Sequence, residues 1–503
     1  MSAAPQGSRE SADEAFLANV RPPGWKGPTP SGPYPLLVIG GGPAGLLAAY
    51  EAAMMGAKVA LVERHWLGGK SLSYGSVPMK TMLRTSRLYA DMRTAALFGA
   101  RPQTPVPADV DLMLGRMQRI RNRISQPFSA SKLKAIGIDL YFGAARFTGA
   151  DRVDVDGLEL RFKKAMIATG SAPKPIDIPG LAEAGFVDAT MMFEMRSLPR
   201  RVLVVGGGAN GCEGAQSLAR LGVETIIVLN EPLFLPGEER DAAQMVSDTL
   251  ARDGVEIHLN TRVTGVRVEG DRKLVDLVND GDASTVTVDA IFIDLGQEPA
   301  VAGLDLERAG IAYDTRKGIH VNDFLRTTNR RVYAAGDVCL EPKFTSIAYA
   351  SARIVVGNAL FWRRQRYSAM TIPWCTYTDP EIAHVGMYVR EARERNIPVK
   401  TFTVPMHEVD RALADGEEAG FVKIHVKDGS DKILGATIVA RHAGEMINEI
   451  SLAIVAGVGL NTLAKVLRAY PTQAEAIRIA ADRYRASQLT WWRRWLVRLW
   501  LNR

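Results

Sequence analysis

Leu36-Leu37-Val38-Ile39 runs directly into Gly40-Gly41-Gly42-Pro43-Ala44-Gly45, and an Ala-rich stretch to about Gly56 returns as Lys58-Val59-Ala60-Leu61-Val62-Glu63. The order reads as strand, glycine turn, helix, strand. Gly40 permits the tight turn, Gly42 lets the backbone approach a pyrophosphate, and Gly45 lets helix and strand pack closely. Phosphate then sits at the helix N-terminus, beside Pro43 and Ala44, where free N–H groups and the helix dipole favour negative charge. Glu63, followed by Arg64, stands at the spacing of an acid that hydrogen-bonds an adenosine ribose. This stretch predicts a dinucleotide site.

The pattern repeats. Arg201-Val202-Leu203-Val204-Val205 enters Gly206-Gly207-Gly208-Ala209-Asn210-Gly211, and two such units in one chain are far more specific than one. The second unit ends differently: Leu229, then Asn230 and Glu231, where an acid is expected, and no arginine pair for a 2′-phosphate replaces it.

Composition bounds the rest. A chain of 503 residues, 47% hydrophobic and 23% charged, has material for a buried core and about three domains. Cys212, Cys339 and Cys375 are too few and too scattered for a disulfide framework or a zinc cluster, which predicts a reducing cytoplasm and no metal site. The formal charge of +7 is concentrated in Arg485, Arg493, Arg494, Arg498 and Arg503, with no acid from Tyr484 onward. No nucleic-acid-binding motif accompanies it, so nucleic acid is not expected as a partner.

The residues after the first unit carry a family resemblance. Gly68-Gly69-Lys70-Ser71-Leu72-Ser73-Tyr74-Gly75-Ser76-Val77-Pro78-Met79-Lys80 resembles the active-site segment of the pyridine nucleotide-disulfide oxidoreductases, the flavoprotein family of dihydrolipoamide dehydrogenase, glutathione reductase and mercuric reductase. In that family two cysteines stand five positions apart, ahead of Pro and Lys. Here both are serine, Ser71 and Ser76, and a hydroxyl neither forms a disulfide nor acts as a soft thiolate. Ser73 and Met79 also depart from the commoner Asn and Ser of the family.

The resemblance implies an α/β fold with two Rossmann-like dinucleotide-binding domains and an α+β C-terminal dimerisation domain. The expected boundaries are 1–33 for an N-terminal extension, 34–172 and 297–365 for the FAD domain, 173–296 for the NAD(P) domain, 366–489 for dimerisation and 490–503 for a tail. FAD is expected on Gly40 to Arg64, on Gly69, Lys70 and Ser71, on Thr169, Gly170 and Ser171, and on Gly336 and Asp337. Phe344 and Thr345 should open a helix whose N-terminal amides face the isoalloxazine ring. The second unit, with Gly206, Gly208, Asn210, Gly211, Leu229, Asn230 and the exit at Gly296, should hold NADPH, NADH or both. At that exit Gln297 and Ala300 replace the family's Arg and Asn.

Lys80 and Glu213 match the family's lysine beside flavin N5 and its partner glutamate, and so predict hydride transfer into the flavin. The family's His-Pro-Thr and later Glu, which reach across a homodimer, appear as Tyr470-Pro471-Thr472 and Glu475. A phenol with an unperturbed pKa of ~10 does not cycle protons near neutrality as imidazole does. Tyr470 is left to donate a hydrogen bond, stack on a flat substrate or pack at the dimer interface. Tyr470 and Glu475 complete the candidate catalytic set.

Three further stretches carry expectations. Asn19-Val20-Arg21-Pro22-Pro23-Gly24-Trp25 is read either as a flavoprotein lead-in or as a flexible tail. Thr81 to about Ala95 and Asp109 to about Ile136 are predicted helical, with Arg84, Arg87, Arg116, Arg119, Arg121 and Arg123 on solvated faces. The terminal Trp491-Trp492-Arg493-Arg494-Trp495-Leu496-Val497-Arg498-Leu499-Trp500 divides into an aromatic and a basic helix face, read as a helix in an anionic membrane interface or packed on the dimer partner. Together these readings give an FAD-dependent NAD(P)H oxidoreductase with a quinone-like or other non-disulfide acceptor; the alternative is a flavin-bearing membrane adaptor or redox sensor with little turnover.

Overall fold

The computed structural model describes residues 9–30, 32–101, 106–188, 197–361, 363–489 and 491–501, with side chains described except at 9–12, 491–494 and 496. Helix α1 (Arg9–Val20) leads in, followed by β1 (Tyr34–Ile39), α2 (Pro43–Met54) and β2 (Val59–Glu63). A short helix α3 (Gly69–Ser73) and a long helix α4 (Ser76–Thr94) come next, then β3 (Ile138–Phe142) and β4 (Leu158–Ile167). The second unit is β5 (Arg201–Val205), α5 (Ala209–Arg220), β6 (Glu224–Val228), β7 (Val255–His258) and β8 (Ala290–Ile293). The chain returns through β9 (Val332–Ala334) and helix α6 (Thr345–Leu360).

The two units have one topology. Strand order β3-β2-β1-β4 in the first is matched by β7-β6-β5-β8 in the second, and all these pairs are parallel. β9 adds to β4, again in parallel. Buried on both faces, the strands read as continuous apolar runs, with Leu36, Leu37 and Val38 all 0% exposed. The chain crosses between the units twice, at Ser171–Pro173 and Gln297–Pro299, which pair antiparallel. Both crossings therefore lie side by side at the mouth of the sheets.

The remainder forms a five-stranded antiparallel sheet, in which Pro373–Thr376 and Glu381–Gly386 lead into Ile433–Ala440. Helix α7 (Ala443–Ala456) packs on it, and helix α8 (Glu475–Ser487) covers the other strands. Helix α9 (Trp491–Leu501) follows, and Trp495, Val497, Leu499, Trp500 and Leu501 on it are all exposed. Thr490, Asn502, Arg503 and the side chains of Trp491, Trp492, Arg493, Arg494 and Leu496 lie outside the described residues. No helix among the described residues is long and apolar enough to cross a membrane.

Two expectations are corrected. The helix predicted from Thr81 begins at Ser76, because Pro78 lies in its first turn, where a missing N–H costs nothing. Arg87, expected on a solvated face, turns inward toward Asp379 at 3.5 Å and Glu381 at 3.9 Å, since the C-terminal sheet covers that side of α4. Arg121 lies over the Phe16 ring at 4.3 Å, beneath α1. The lead-in is docked rather than free: Phe16 and Val20 are buried, and Trp25 Nε1 donates to the Leu140 carbonyl at 3.0 Å.

Candidate functional site

The glycine turns bring each helix N-terminus close to the strand before it. Gly40 and Gly206 both have φ +107°, which an L side chain adopts only with strain. A Cβ on Gly45 would lie 1.7 Å from the Gly40 carbonyl oxygen, and one on Gly211 would lie 2.4 Å from that of Gly206, so each helix reaches its turn only without a side chain. Above Gly42 the backbone is open, the nearest atom to its Cβ position being Gly69 Cα at 4.0 Å. That is a cradle a dinucleotide's diphosphate would fill.

One cavity of ≈ 1460 Å³ spans both units and is closed on one side by the C-terminal sheet and α7. It exceeds the ~300–1,000 Å³ of common ligand pockets. All the predicted cofactor residues border it except Gly45, Gly206, Gly208, Gly211, Leu229 and Asn230. In the first unit the nearly buried Glu63 carboxylate is held at the wall, Oε2 accepting from the Gly41 N–H and Oε1 from the His65 N–H, both at 2.6 Å. An acid fixed in this way is held in place at the cavity wall.

Lys70 is a four-way junction beside that cradle. Its ammonium pairs with Asp337 Oδ2 at 2.7 Å, donates to Gln297 Oε1 at 3.1 Å and bonds the Ser171 hydroxyl, which in turn donates to Asp337 at 2.8 Å. The lysine so ties α3 to both crossings and to the turn at Gly336. Next to it, the Ser71 hydroxyl shares a 2.8 Å hydrogen bond with Thr345 Oγ1 at the start of α6. Ser76 borders the cavity and is exposed.

Across the cavity stands the second pair. Lys80 Nζ lies 2.7 Å from Glu213 Oε2, while Glu213 Oε1 accepts the Tyr377 N–H at 2.9 Å and Lys80 lies over the Tyr377 ring at 4.5 Å. The pair joins α4 to α5, and the C-terminal sheet locks it. Sequence reasoning did not assign Trp374, Cys375 or Tyr377 to this wall, because their chain positions say nothing of the approach of a third domain. Burial pushes the Cys375 thiol up, so it is protonated at neutral pH. Behind it Glu381 Oε2 accepts the Gly444 N–H at 2.9 Å, and burial raises its carboxyl to about 7.

The two C-terminal catalytic candidates, Tyr470 and Glu475, do not border the cavity within one protomer either. Tyr470 is 69% exposed and donates to Asp410 Oδ2 at 2.7 Å, while Glu475 is buried and pairs with Arg478 at 3.0 Å. Leu229 is buried, and a Cβ on Gly207 would fall 1.9 Å from its Cδ2, so its side chain packs on the turn and offers a nucleotide no polar group.

With two glycine turns of the same φ at the ends of matching parallel strands, the sequence comparisons are decisive. The model for the pyridine nucleotide-disulphide oxidoreductases matches residues 34–352, and the model for their dimerisation domain matches residues 372–481. The chain belongs to this family. Pyridine nucleotide-disulphide oxidoreductases bind FAD and NAD(P)H, and the dimerisation domain supports a homodimer. A mercuric reductase of Staphylococcus aureus is 32% identical over 453 residues, covering 90% of this chain and 82% of that one. A dihydrolipoyl dehydrogenase of Thermus scotoductus is 31% identical over 454 residues, covering 89% and 97%. Among solved structures, the HOCl-induced flavoprotein disulfide reductase RclA from Escherichia coli superposes with a TM-score of 0.80 at 28% identity, covering 89% of this chain and 99% of its own. LpdA from Mycobacterium tuberculosis gives 0.81 at 26%, with the same coverage.

Proposed function

We propose that this flavoprotein takes hydride from NADH or NADPH and passes electrons straight from reduced flavin to a quinone-like or other non-disulfide acceptor. The observation that carries the reading is the turn at Ser71 and Ser76. Two hydroxyls stand where the family's cysteines would be, and that of Ser71 shares a hydrogen bond with Thr345 Oγ1. Neither takes up or releases an electron pair.

FAD, when bound, supplies the two-electron chemistry. The chain's own residues position and exclude. Glu63 and the Gly40–Gly45 turn hold the adenosine diphosphate end, and Lys70 with Asp337 fixes the segment between cradle and α6. Lys80, oriented by Glu213 and Tyr377, presents a cation at the wall beside the second unit, where the nicotinamide ring is expected. Glu213, nearly fully buried, keeps that ammonium in place. The exposed aromatic and basic face of α9 favours a membrane surface as the place of work and a lipid-soluble acceptor.

The test is anaerobic addition of NADH and, separately, NADPH to the purified protein, followed by oxidation with quinones or dyes after its thiols are alkylated. Flavin bleaching and acceptor turnover that survive alkylation are expected. No turnover with any quinone or dye, or turnover with disulfide or mercuric ion alone, would sink the reading. One observation favours the alternative of a flavin-bearing adaptor with little turnover: Leu229 leaves the second unit without a ribose-binding acid. A bound flavin that neither nucleotide bleaches would select it.

A further inference from the structure

The two nucleotide units share a backbone but differ in charge where a diphosphate would lie. A Cβ on Gly40 would meet the Ala168 carbonyl oxygen at 2.3 Å, and one on Gly206 would meet that of Asp294 at 2.2 Å. Ala168 and Asp294 are thus equivalent positions, each at the end of the strand under its glycine turn. The alanine has no polar side chain. Asp294 has a carboxylate whose Oδ2 accepts the Gly211 N–H at 2.7 Å, and that oxygen lies 3.2 Å from the Cβ position of Gly208. It borders the cavity at the N-terminus of α5.

We propose that Asp294 sets the affinity of the second unit, as an internal carboxylate that shares the α5 N-terminus with the nicotinamide cofactor's diphosphate and repels it. The physics is that of like charges at one site: two anions within about 4–6 Å disfavour each other, and one is relieved by taking up a proton. The helix end that favours an anion in the first unit is in the second already engaged by the protein's own. Cofactor binding then draws a proton onto Asp294, and linkage makes affinity fall as pH rises.

The surroundings act in both directions. Glu213, on α5, adds a second negative charge, itself paired with Lys80. Lys174 Nζ stands 3.6 Å from the Cβ position of Gly296, two residues along the chain, and the buried Cys212 is a neutral thiol on the inner side of α5. Burial and Glu213 push the Asp294 carboxyl above the ordinary range, while its hydrogen bonds to the Gly211 N–H and Asn210 pull it back.

The inference rests on the second unit being the nicotinamide site, and binding of oxidised nucleotide tests it without turnover. Calorimetric titration of oxidised holoenzyme with NAD⁺ and with NADP⁺ is run at mildly acid and mildly alkaline pH, in buffers of different ionisation enthalpy. Asp294→Ala, which gives the second unit the alanine of the first, should tighten binding about tenfold or more at alkaline pH, the equivalent of roughly one pKa unit. The advantage should shrink at acid pH, and proton uptake on binding should vanish in the variant. Asp294→Asn keeps an acceptor for the Gly211 N–H without the charge; it should tighten binding likewise, and it decides alone if the alanine variant does not fold. Equal or weaker binding by the folded variants at both pH values would overturn the inference and leave Asp294 a helix cap. Binding of nucleotide to none of the proteins would overturn the nicotinamide assignment itself.

Discussion

Replacing Lys80 by methionine should destabilise the protein more than replacing Glu213 by glutamine, although each removes one half of the same ion pair. The asymmetry comes from burial: the Glu213 side chain is 1% exposed and that of Lys80 is 35%. Glu213→Gln leaves an ammonium that reaches solvent, and the glutamine carbonyl still accepts the Tyr377 N–H. A hydrogen bond to a charged group is worth ~1.5–3 kcal/mol, and rehydration of Lys80 brings the net loss to ~1–2 kcal/mol. Lys80→Met instead strands a carboxylate with one remaining donor, and breaking a buried pair in that way costs ~3–5 kcal/mol. It also removes the cation from the Tyr377 ring, another ~0.5–1 kcal/mol.

The expected gap between the two variants is therefore roughly 2 kcal/mol or more. The double variant Lys80→Met/Glu213→Gln strands no charge and should recover most of the loss of the lysine variant. Urea titration of the holoenzyme followed by flavin fluorescence, with midpoints compared at a common slope, reads these differences. Glu213→Gln proving as damaging as Lys80→Met, or the double variant losing the sum of both, would refute burial as the source of the energy.

Glu63→Gln should weaken FAD retention by about 10- to 100-fold, since it replaces a charged acceptor of two backbone N–H groups, and bound flavin per protein after dialysis measures it. Glu381 has a folded-state carboxyl raised to about 7, against an ordinary value near 4.5, so the folded state binds the extra proton. Its contribution is present below the unfolded value and is lost as pH rises from about 4.5 to about 7. Glu381→Gln should flatten that fall and leave the protein ~1–3 kcal/mol more stable than the parent at alkaline pH, as read from urea midpoints across pH. Ending the chain after Leu489 should abolish co-sedimentation with anionic vesicles while leaving flavin bleaching by NAD(P)H unchanged; unchanged vesicle binding would refute the role of α9.

The glycine turns were legible because they are local: a positive φ at Gly40 and the close approach of Gly45 to Gly40 are decided within six residues. Lys80 and Glu213 lie 133 residues apart, and only a family pattern brought them together in advance; the structure places them at 2.7 Å. What local reading missed depends on the third sheet. Trp374 and Cys375, on a strand whose pattern is ordinary, and Tyr377 just beyond its end reach the cavity, and Arg87, at a position that reads as solvated, meets Asp379. The stretch Asn19 to Trp25 reads equally as lead-in or tail, because the burial of Phe16 and Val20 depends on residues as distant as Leu67 and Leu133.

Asp294 was missed for a different reason. The repeat itself carries the signal, since Ala168-Thr169-Gly170 and Asp294-Leu295-Gly296 are the same crossing in two copies, but the contact of Asp294 with the Gly211 N–H spans 83 residues and is not local. Set side by side, the two units keep the positive-φ glycine and the parallel strand order and exchange the side chains around the turn. Glu63, which braces Gly41 at the cavity wall, becomes Leu229 packed on Gly207; Ala168, which has no polar side chain, becomes Asp294 bonded to Gly211. One exchange removes a favourable polar contact from the second site and the other adds a charge of the wrong sign. On the proposed reading both weaken the hold on a dinucleotide, which suits a cofactor that leaves after each hydride transfer, while the first unit has neither exchange.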